Sequence, residues 1–215
     1  MKVGILWDLD GTLLDTLEDL ADSVNHTLKE FGYPVRSLEE VRTSVGNGAR
    51  RLIALAVPEG EDPEPVFEAF HTYYNCHCQI KTRPYGGIPE ALEVLGKKYP
   101  MAVVSNKPDS AVKTLCAQYF SGIYARGESA DCPRKPAPDM VCKAMAGIGV
   151  ERCIYVGDSE VDVLTAKNAG VPCLSVLWGF RNREEIAGCG GAHFCDDPAN
   201  LPEVLEEMIR DLTAE

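Results

Sequence analysis

The chain has 215 residues, of which 45% are hydrophobic and 25% are charged, and its formal net charge is -12. This composition is typical of a soluble globular protein, and the negative charge argues against nucleic acid or an anionic membrane surface as a partner. The sequence shows no signal peptide and no run of roughly 20 apolar residues, and its nine cysteines are scattered, so we expect a cytoplasmic protein with reduced thiols.

The first predicted element is a buried strand, residues 3–7, that ends in Asp8-Leu9-Asp10-Gly11-Thr12. Two carboxylates so close together repel each other unless a cation lies between them or one holds a proton. A hard divalent ion takes oxygen ligands, and a protonated aspartic acid can act as a general acid. A strand-ending turn with solvated acids is the alternative, so this stretch alone leaves the chemistry open.

The following segment shows only helical signals. The apolar spacing predicts a helix from Thr16 to about Phe31, Ser37 and Glu40 form a capping box for a second helix, and two more helices follow residues 46–48 and 63–65. Such a segment is far longer than an ordinary crossover between strands. We therefore predict an inserted helical cap domain, residues 16–82, and an α/β core domain made of residues 1–15 and 83–215.

One group of side chains in this segment hints at a metal site: His71, Cys76, His77 and Cys78. Structural zinc sites usually separate a cysteine pair by two to four residues and add a second pair of ligands. Neither condition is met here, and thiols on a helix are the preferred interpretation.

Beyond residue 83, predicted strands and helices alternate, which indicates a doubly wound parallel sheet with right-handed crossovers. One predicted helix is opened by Arg134-Lys135-Pro136 and runs to about Gly147. The predicted strands cover residues 101–104, 123–125, 153–156, 173–177 and 193–195.

Polar side chains follow three of the predicted strands: Asp8 and Asp10, then Ser105 and Asn106, then Asp158 with Asp162 in the next turn. The carboxyl ends of parallel strands meet at one edge of a sheet, where open α/β folds bind ligands. We expect these groups, together with Lys135, to form one site.

The stretches 8–16, Ser105-Asn106, Lys135-Pro136 and Gly157-Asp158-Ser159-x-x-Asp162 resemble, in this order, the motif set of the haloacid dehalogenase superfamily. The helical insertion lies where that family has its C1-type cap. Residues 46–50, 105–108 and 178–181 are most similar to the phosphoglycolate phosphatase branch.

The resemblance implies a magnesium-dependent hydrolysis of a small phosphorylated metabolite. Asp8 would be the nucleophile and form an aspartyl-phosphate, and Asp10 would protonate the leaving oxygen. Mg²⁺ would be held by Asp8, the Asp10 backbone carbonyl and Asp158, while Asp162 would support these groups without binding the ion directly. The groups expected to bind the phosphoryl oxygens are Thr12, Ser105, Asn106 and Lys135.

Substrate selection is assigned to the cap. Gly46-Asn47-Gly48 precedes a helix, so its backbone N–H groups could face an anion, and Arg50 adds a guanidinium in the first turn. We expect Gly48 and Arg50 to contact a substrate carboxylate, although a solvated helix face is at least as good an interpretation for Arg50 and Arg51.

Several alternatives remain at this stage. A dehalogenase or a phosphonatase lacks the second acid, so Asp10 disfavours both. A phospho-receiver domain has its acceptor after a later strand and no such insertion, and an intact motif set argues against a phosphate-binding protein without turnover. A β-phosphoglucomutase-like phosphosugar mutase and a pyrophosphatase of the same superfamily stay open, as does the choice between a monomer and a homodimer.

Overall fold

The computed structural model describes residues 2–214. Its strands are β1 (Val3–Trp7), β2 (Leu14–Asp15), β3 (Arg83–Pro84), β4 (Met101–Pro108), β5 (Tyr124–Glu128), β6 (Arg152–Gly157), β7 (Cys173–Val176) and β8 (His193–Cys195). Its α-helices are α1 (Leu17–Glu30), α2 (Leu38–Ser44), α3 (Ala49–Ala56), α4 (Glu64–His77), α5 (Ile88–Gly96), α6 (Asp109–Tyr119), α7 (Asp139–Ile148), α8 (Glu160–Ala169), α9 (Arg183–Gly188) and α10 (Leu201–Ala214). A short 3-10 helix, Pro198–Asn200, precedes α10.

The main sheet has six parallel strands in the order β5-β4-β1-β6-β7-β8, which confirms the predicted doubly wound fold. Every residue of the central strand β1 is buried. Ile5 and Trp7 pack into the core on one face and Leu6 into the core on the other, because a parallel sheet is covered on both faces. The chain builds outward from β1 in both directions, so the crevice where the strand order reverses lies at the carboxyl end of β1.

Helices α1 to α4 follow one another between β2 and β3 and pack together. Val24 of α1, Ile53 of α3 and Phe70 of α4 are fully buried in this part of the core. The predicted capping box of α2 is confirmed: the Ser37 hydroxyl accepts from Glu40 N at 3.2 Å, and Ser37 N donates to the Glu40 carboxylate at 2.8 Å. The division of the chain into a cap and a core stays a prediction.

The chain enters and leaves the helical segment side by side. Strands β2 and β3 pair antiparallel, with Leu14 opposite Pro84 and Asp15 opposite Arg83. The buried carboxylate of Asp19, in the first turn of α1, accepts from the backbone N–H groups of residues 81 and 82 at 2.8–3.0 Å. These bonds tie the end of the helical segment to its beginning.

The observed elements differ from the sequence-based prediction in a few places. Helix α7 begins at Asp139, not at Arg134, because Pro138 disfavours helical backbone at the residue before it. Strand β4 continues past Val104 to Pro108 through an irregularity in its pairing with β5. The ribbon β2–β3 and the short helix α9 were not predicted, although Asn182 and Glu185 form a capping box at the start of α9.

The cysteines and the predicted metal-like cluster form no metal site or disulfide within residues 2–214. All nine cysteines are free thiols. The ring of His77 stacks on Tyr73, and its Nδ1 lies 2.7 Å from the Tyr73 carbonyl oxygen, while His71 lies beside Asn75. Of the helices in residues 2–214, none combines the length and the apolar character that crossing a membrane requires.

Candidate active site

Asp8 lies where the chain leaves β1 and turns sharply. Its backbone N–H donates to Val156 O of β6 at 2.8 Å, and Gly11 N then donates to Leu14 O at 2.9 Å. Gly11 has a φ of +82°, and a Cβ there would collide with the carboxylate of Asp158. This turn therefore needs glycine, both for its backbone conformation and for the close approach of Asp158.

Lys135 joins two of the predicted carboxylates. Its Nζ lies 2.8 Å from Asp8 Oδ1 and 2.8 Å from Asp162 Oδ1, and it donates to the Tyr155 hydroxyl at 3.0 Å. Asp162 also accepts from Ser159, through the backbone N–H at 3.1 Å and the hydroxyl at 2.6 Å. The lysine is fixed by partners on all sides, and Asp162 is occupied by hydrogen bonds from the protein.

Asp158 follows β6 and is held by two donors. Its Oδ1 accepts from the Thr12 hydroxyl at 3.1 Å, and its Oδ2 accepts from Phe180 N at 2.8 Å. Trp178 Nε1 in turn donates to Thr12 O at 3.0 Å. The Thr12 hydroxyl therefore orients Asp158, and its role as a phosphate ligand stays a prediction.

Asp8, Asp158 and Asp162 each offer a carboxylate oxygen within 4.8 Å of the others, and all three residues are buried. Burial, followed by repulsion from Asp162, raises the pKa of Asp8 from 3.8 to about 7 despite the nearby lysine. Burial, Asp162 and Asp8 likewise raise the pKa of Asp158 well above its ordinary value. Burial opposes the charge on Lys135, but Asp162 and Asp8 outweigh it and raise the pKa of the ammonium.

The donor set fits a divalent cation. When all three buried carboxylates are ionised, they and the one ammonium leave two uncompensated negative charges, which a hard dication with oxygen ligands would neutralise. Asp162 and Lys135 already satisfy each other, so Asp8 and Asp158 are the side chains available to hold the ion.

Ser105 and Asn106 lie on the extension of β4. The Ser105 hydroxyl accepts from Lys107 N at 3.2 Å and faces the cleft. The Asn106 side chain accepts from Lys135 N at 2.8 Å and donates to Lys135 O at 3.0 Å and to Gly46 O at 3.1 Å. Its amide therefore positions Lys135 and the α2–α3 loop.

Asp10 also lines the cleft. Its Oδ1 accepts from the Lys107 ammonium at 2.7 Å, and the ammonium lies 4.7 Å from the centre of the Tyr74 ring. The Lys107 side chain is only 3% exposed. Lys107 lies within the stretch 105–108 that carries the family resemblance, but the sequence predicted no role for it.

The helical segment covers part of the cleft, with Gly46, Gly48 and Ala49 lining it opposite the sheet edge. Arg50 does not line it: its guanidinium pairs with Glu64 and lies 3.7 Å from Glu68 on α4. Because successive helix positions are rotated by about 100°, Ala49 faces the cleft and Arg50 points away. The structure thus brings Gly48 to the site and leaves Arg50 outside it.

Arg181 is a second residue for which the sequence predicted no role, although it lies within the stretch 178–181. It is 8% exposed, lines the cleft, and pairs with Glu160 at 3.0 Å. It donates to Arg42 O and Thr43 O at 3.2 Å and to Val45 O at 2.9 Å. It therefore holds the C-terminal end of α2 over the sheet edge.

The haloacid dehalogenase-like hydrolase family profile matches residues 5–176. The phosphoglycolate phosphatase of Agrobacterium fabrum is 37% identical to this chain, over 95% of the chain and 93% of the relative. That of Pseudomonas savastanoi pv. phaseolicola is 34% identical, over 98% of the chain and 84% of the relative. The crystal structure of a proposed phosphoglycolate phosphatase from Lactobacillus delbrueckii subsp. bulgaricus is 34% identical, with a TM-score of 0.87 over 94% of this chain and 97% of that one.

Proposed function

The chain belongs to the haloacid dehalogenase-like hydrolase family, and from this premise we propose that it is a magnesium-dependent phosphatase that hydrolyses phosphoglycolate. One observation carries the proposal. Asp8, paired with Lys135 at 2.8 Å, and Asp10, paired with Lys107 at 2.7 Å, line the same cleft. A nucleophile and a second acid in one cleft are what cleavage of a phosphate ester needs, since its leaving oxygen requires a proton.

In the first step an oxygen of Asp8 attacks phosphorus and the bond to the leaving oxygen breaks, which produces an aspartyl-phosphate. Asp10 gives its proton to the leaving oxygen, so glycolate departs as an alcohol. In the second step Asp10 takes a proton from water, which attacks phosphorus and releases phosphate. The covalent route divides one difficult displacement into two easier ones.

The surrounding groups act on charge and position. Lys135 offsets the charge on Asp8 and on the phosphoryl oxygens, and the Ser105 hydroxyl with nearby backbone N–H groups would bind those oxygens. Asp8, the backbone carbonyl of Asp10 and Asp158 would hold Mg²⁺, which when bound draws charge from the phosphoryl group. Asp162 serves this set by fixing Lys135.

The helical segment completes the proposal. We assign residues 16–82 to a cap and residues 1–15 and 83–215 to the core, with β2 and β3 as the paired connections. The cap excludes water from the cleft and supplies the surface that selects the leaving group. A short acid as the leaving group matches the relatives named phosphoglycolate phosphatase.

Steady-state kinetics on phosphoglycolate, ethyl phosphate, pyrophosphate and β-glucose 1-phosphate test the proposal, each with magnesium and with a chelator. We expect the highest kcat/KM for phosphoglycolate and no turnover in chelator. Full activity in chelator would reject the metal site. Conversion of β-glucose 1-phosphate to glucose 6-phosphate at a comparable rate would favour a mutase instead.

A further inference from the structure

In residues 2–214, three cations line the cleft, and two of them are already engaged. Lys135 contacts Asp8, Asp162 and the Tyr155 hydroxyl. The Arg181 guanidinium is used by Glu160 and by the carbonyl oxygens at the end of α2. The three N–H donors of Lys135 and four of the five N–H donors of Arg181 are therefore used within the protein.

Lys107 is the third cation. An ammonium has three N–H donors, and within residues 2–214 Asp10 is the hydrogen-bond acceptor that this one contacts. Its second direction is covered by the Tyr74 ring, which attracts a cation through its face. Further donor capacity therefore remains toward the cleft, in a side chain that is almost fully buried.

Tyr74 contributes a second unused donor. The residue lies on α4, lines the cleft and is 1% exposed, yet its hydroxyl forms no hydrogen bond of ordinary geometry within the described chain and has an electrostatic interaction with the Lys107 ammonium. Burial raises the pKa of this hydroxyl, so it keeps its proton. A buried hydroxyl without a partner is unfavourable by about 1–3 kcal/mol, and a bound acceptor would remove that penalty.

These two donors lie on the leaving-group side of the site. Asp10 must contact the bridging oxygen of the ester to protonate it, and Lys107 is hydrogen-bonded to Asp10. In phosphoglycolate one methylene separates the bridging oxygen from the carboxylate. We propose that Lys107 and the Tyr74 hydroxyl bind the carboxylate of the substrate, an inference that rests on the proposed function and gives these residues the role that Arg50 does not fill.

This arrangement favours a substrate with a carboxylate, because a substrate without one leaves both donors unpaired. A neutral alkyl group in the same place would leave the Tyr74 hydroxyl without an acceptor and the Lys107 ammonium without a second anion. Asp10 remains bound to the same ammonium, so recognition of the carboxylate and placement of the acid depend on one side chain. A Lys107 substitution would disturb both, and Tyr74 is the better residue to test.

The experiment compares Tyr74→Phe with Tyr73→Phe on two esters of similar size, phosphoglycolate and ethyl phosphate. Tyr73, the neighbouring residue on α4, stacks between His26 and His77 and does not line the cleft. We expect Tyr74→Phe to lower the ratio of kcat/KM for phosphoglycolate to that for ethyl phosphate on the order of tenfold, the loss of one hydrogen bond to a charged group. Tyr73→Phe should leave the ratio unchanged, and Tyr74→Phe should melt no lower than the parent protein.

An equal loss on both esters in Tyr74→Phe would overturn the inference, because the hydroxyl would then act on the shared machinery. A parent protein that hydrolyses ethyl phosphate and phosphoglycolate equally well would overturn the carboxylate site and leave the phosphatase activity standing. If the protein hydrolyses neither ester, calorimetric titration with phosphoglycolate tests the carboxylate site directly. Binding that weakens in Tyr74→Phe, in a protein that hydrolyses neither ester, would support the site and overturn the proposed function.

Discussion

Asp8 and Asp10 are one residue apart, yet they have different partners. Asp8 and Asp162 both pair with Lys135. Asp10 pairs with a different lysine, Lys107. Two acids with separate electrostatic surroundings can take separate roles, one as a nucleophile and one as an acid. The role of Asp10 and the electrostatic surroundings of Asp8 can be tested separately.

Asp10→Asn should lose activity in proportion to how much help the leaving oxygen needs. For alkyl esters such as phosphoglycolate we expect kcat to fall by roughly 10²–10⁴-fold, the usual contribution of a general acid. For p-nitrophenyl phosphate the loss should be far smaller, since nitrophenolate leaves without a proton. Single-turnover rates on the two esters check this, and equal losses would reject Asp10 as the acid.

Asp8→Asn should change the pH dependence of stability in the metal-free protein. The pKa of Asp8 in the folded chain is about 7, raised by burial and Asp162 from 3.8. The folded state therefore keeps a proton that the unfolded state loses, so this group removes stability as the pH rises through that window. The asparagine variant lacks this loss.

Thermal melts in chelator check the prediction. The melting temperature of Asp8→Asn minus that of the parent should increase from about pH 5 to about pH 7, by a few degrees, and level off above about pH 8. A difference that does not vary with pH would contradict the raised pKa.

The sequence predicted the residues at the strand ends, but not all of their neighbours. Ser105, Asn106 and Lys107 all line the cleft, on a strand that continues to Pro108 through an irregular pairing with β5. Ending the predicted strand at Val104 hid this relation. Arg50 was placed in the first turn of a helix, but its acidic partners lie on α4, a tertiary contact that periodicity does not reveal.

At the scale of elements, the loops after the strands hold the acids by close packing. Gly179, in the loop after β7, has no room for a Cβ, which would collide with the side chain of Asp158 and with the Gly11 carbonyl. Its backbone is not in the left-handed region, so packing alone excludes a side chain here. The loops after β1, β6 and β7 therefore determine one another's position.

Gly179→Ala should displace Asp158 and weaken magnesium binding on the order of 10–100-fold, as changes beside a metal ligand typically do. Gly188→Ala is the matched control, because a Cβ at Gly188 meets nothing within 4 Å. Calorimetric titration of magnesium into both variants makes the comparison. Equal affinities would argue that Asp158 does not hold the ion.

Most elements were predictable because apolar spacing differs between helices and buried strands. The two-residue strands β2 and β3 gave no periodicity, since they pair only when residues 14–15 meet residues 83–84. Helix α7 begins at Asp139, after the predicted start at Arg134, because the intervening residues include prolines. Local patterns thus predicted the type of each long element, while short connections depended on tertiary contacts.

At the scale of the molecule, two arginines join the helical segment to the sheet. Arg42 of α2 donates to Phe180 O, and Arg181 donates to the carbonyl oxygens of residues 42, 43 and 45. These carbonyls lie at the end of α2, where helix carbonyls lack partners and cations are favoured. We interpret the pair as the contact that holds the segment closed.

Arg181→Met should shift the segment toward an open arrangement and raise KM for every phosphate ester, on the order of tenfold for each lost charged hydrogen bond. Arg183→Met is the control, because Arg183 pairs with Asp196 and lies over Phe194, both within the sheet part of the chain. Hydrogen exchange at residues 38–49 should become faster in Arg181→Met only. Unchanged hydrogen exchange and unchanged kinetics in Arg181→Met would contradict the interpretation that these arginines hold the segment closed.

The sequence predicted a helical insertion after the first strand but not how it lies on the sheet. That arrangement depends on Arg181 and Asn106, which donate to backbone carbonyl oxygens far away in the sequence. Backbone acceptors leave no trace in side-chain patterns. The cleft between cap and sheet therefore became visible only in the structure.

The central claim is that Asp8 becomes phosphorylated during turnover of phosphoglycolate with magnesium. Borohydride reduces an acyl phosphate to an alcohol, so quenching the reaction with it should convert Asp8 to homoserine, and peptide mass spectrometry locates the change. We predict homoserine at position 8 in the parent protein during turnover and none in Asp8→Asn. Turnover without homoserine, or homoserine at another aspartate, would contradict the account.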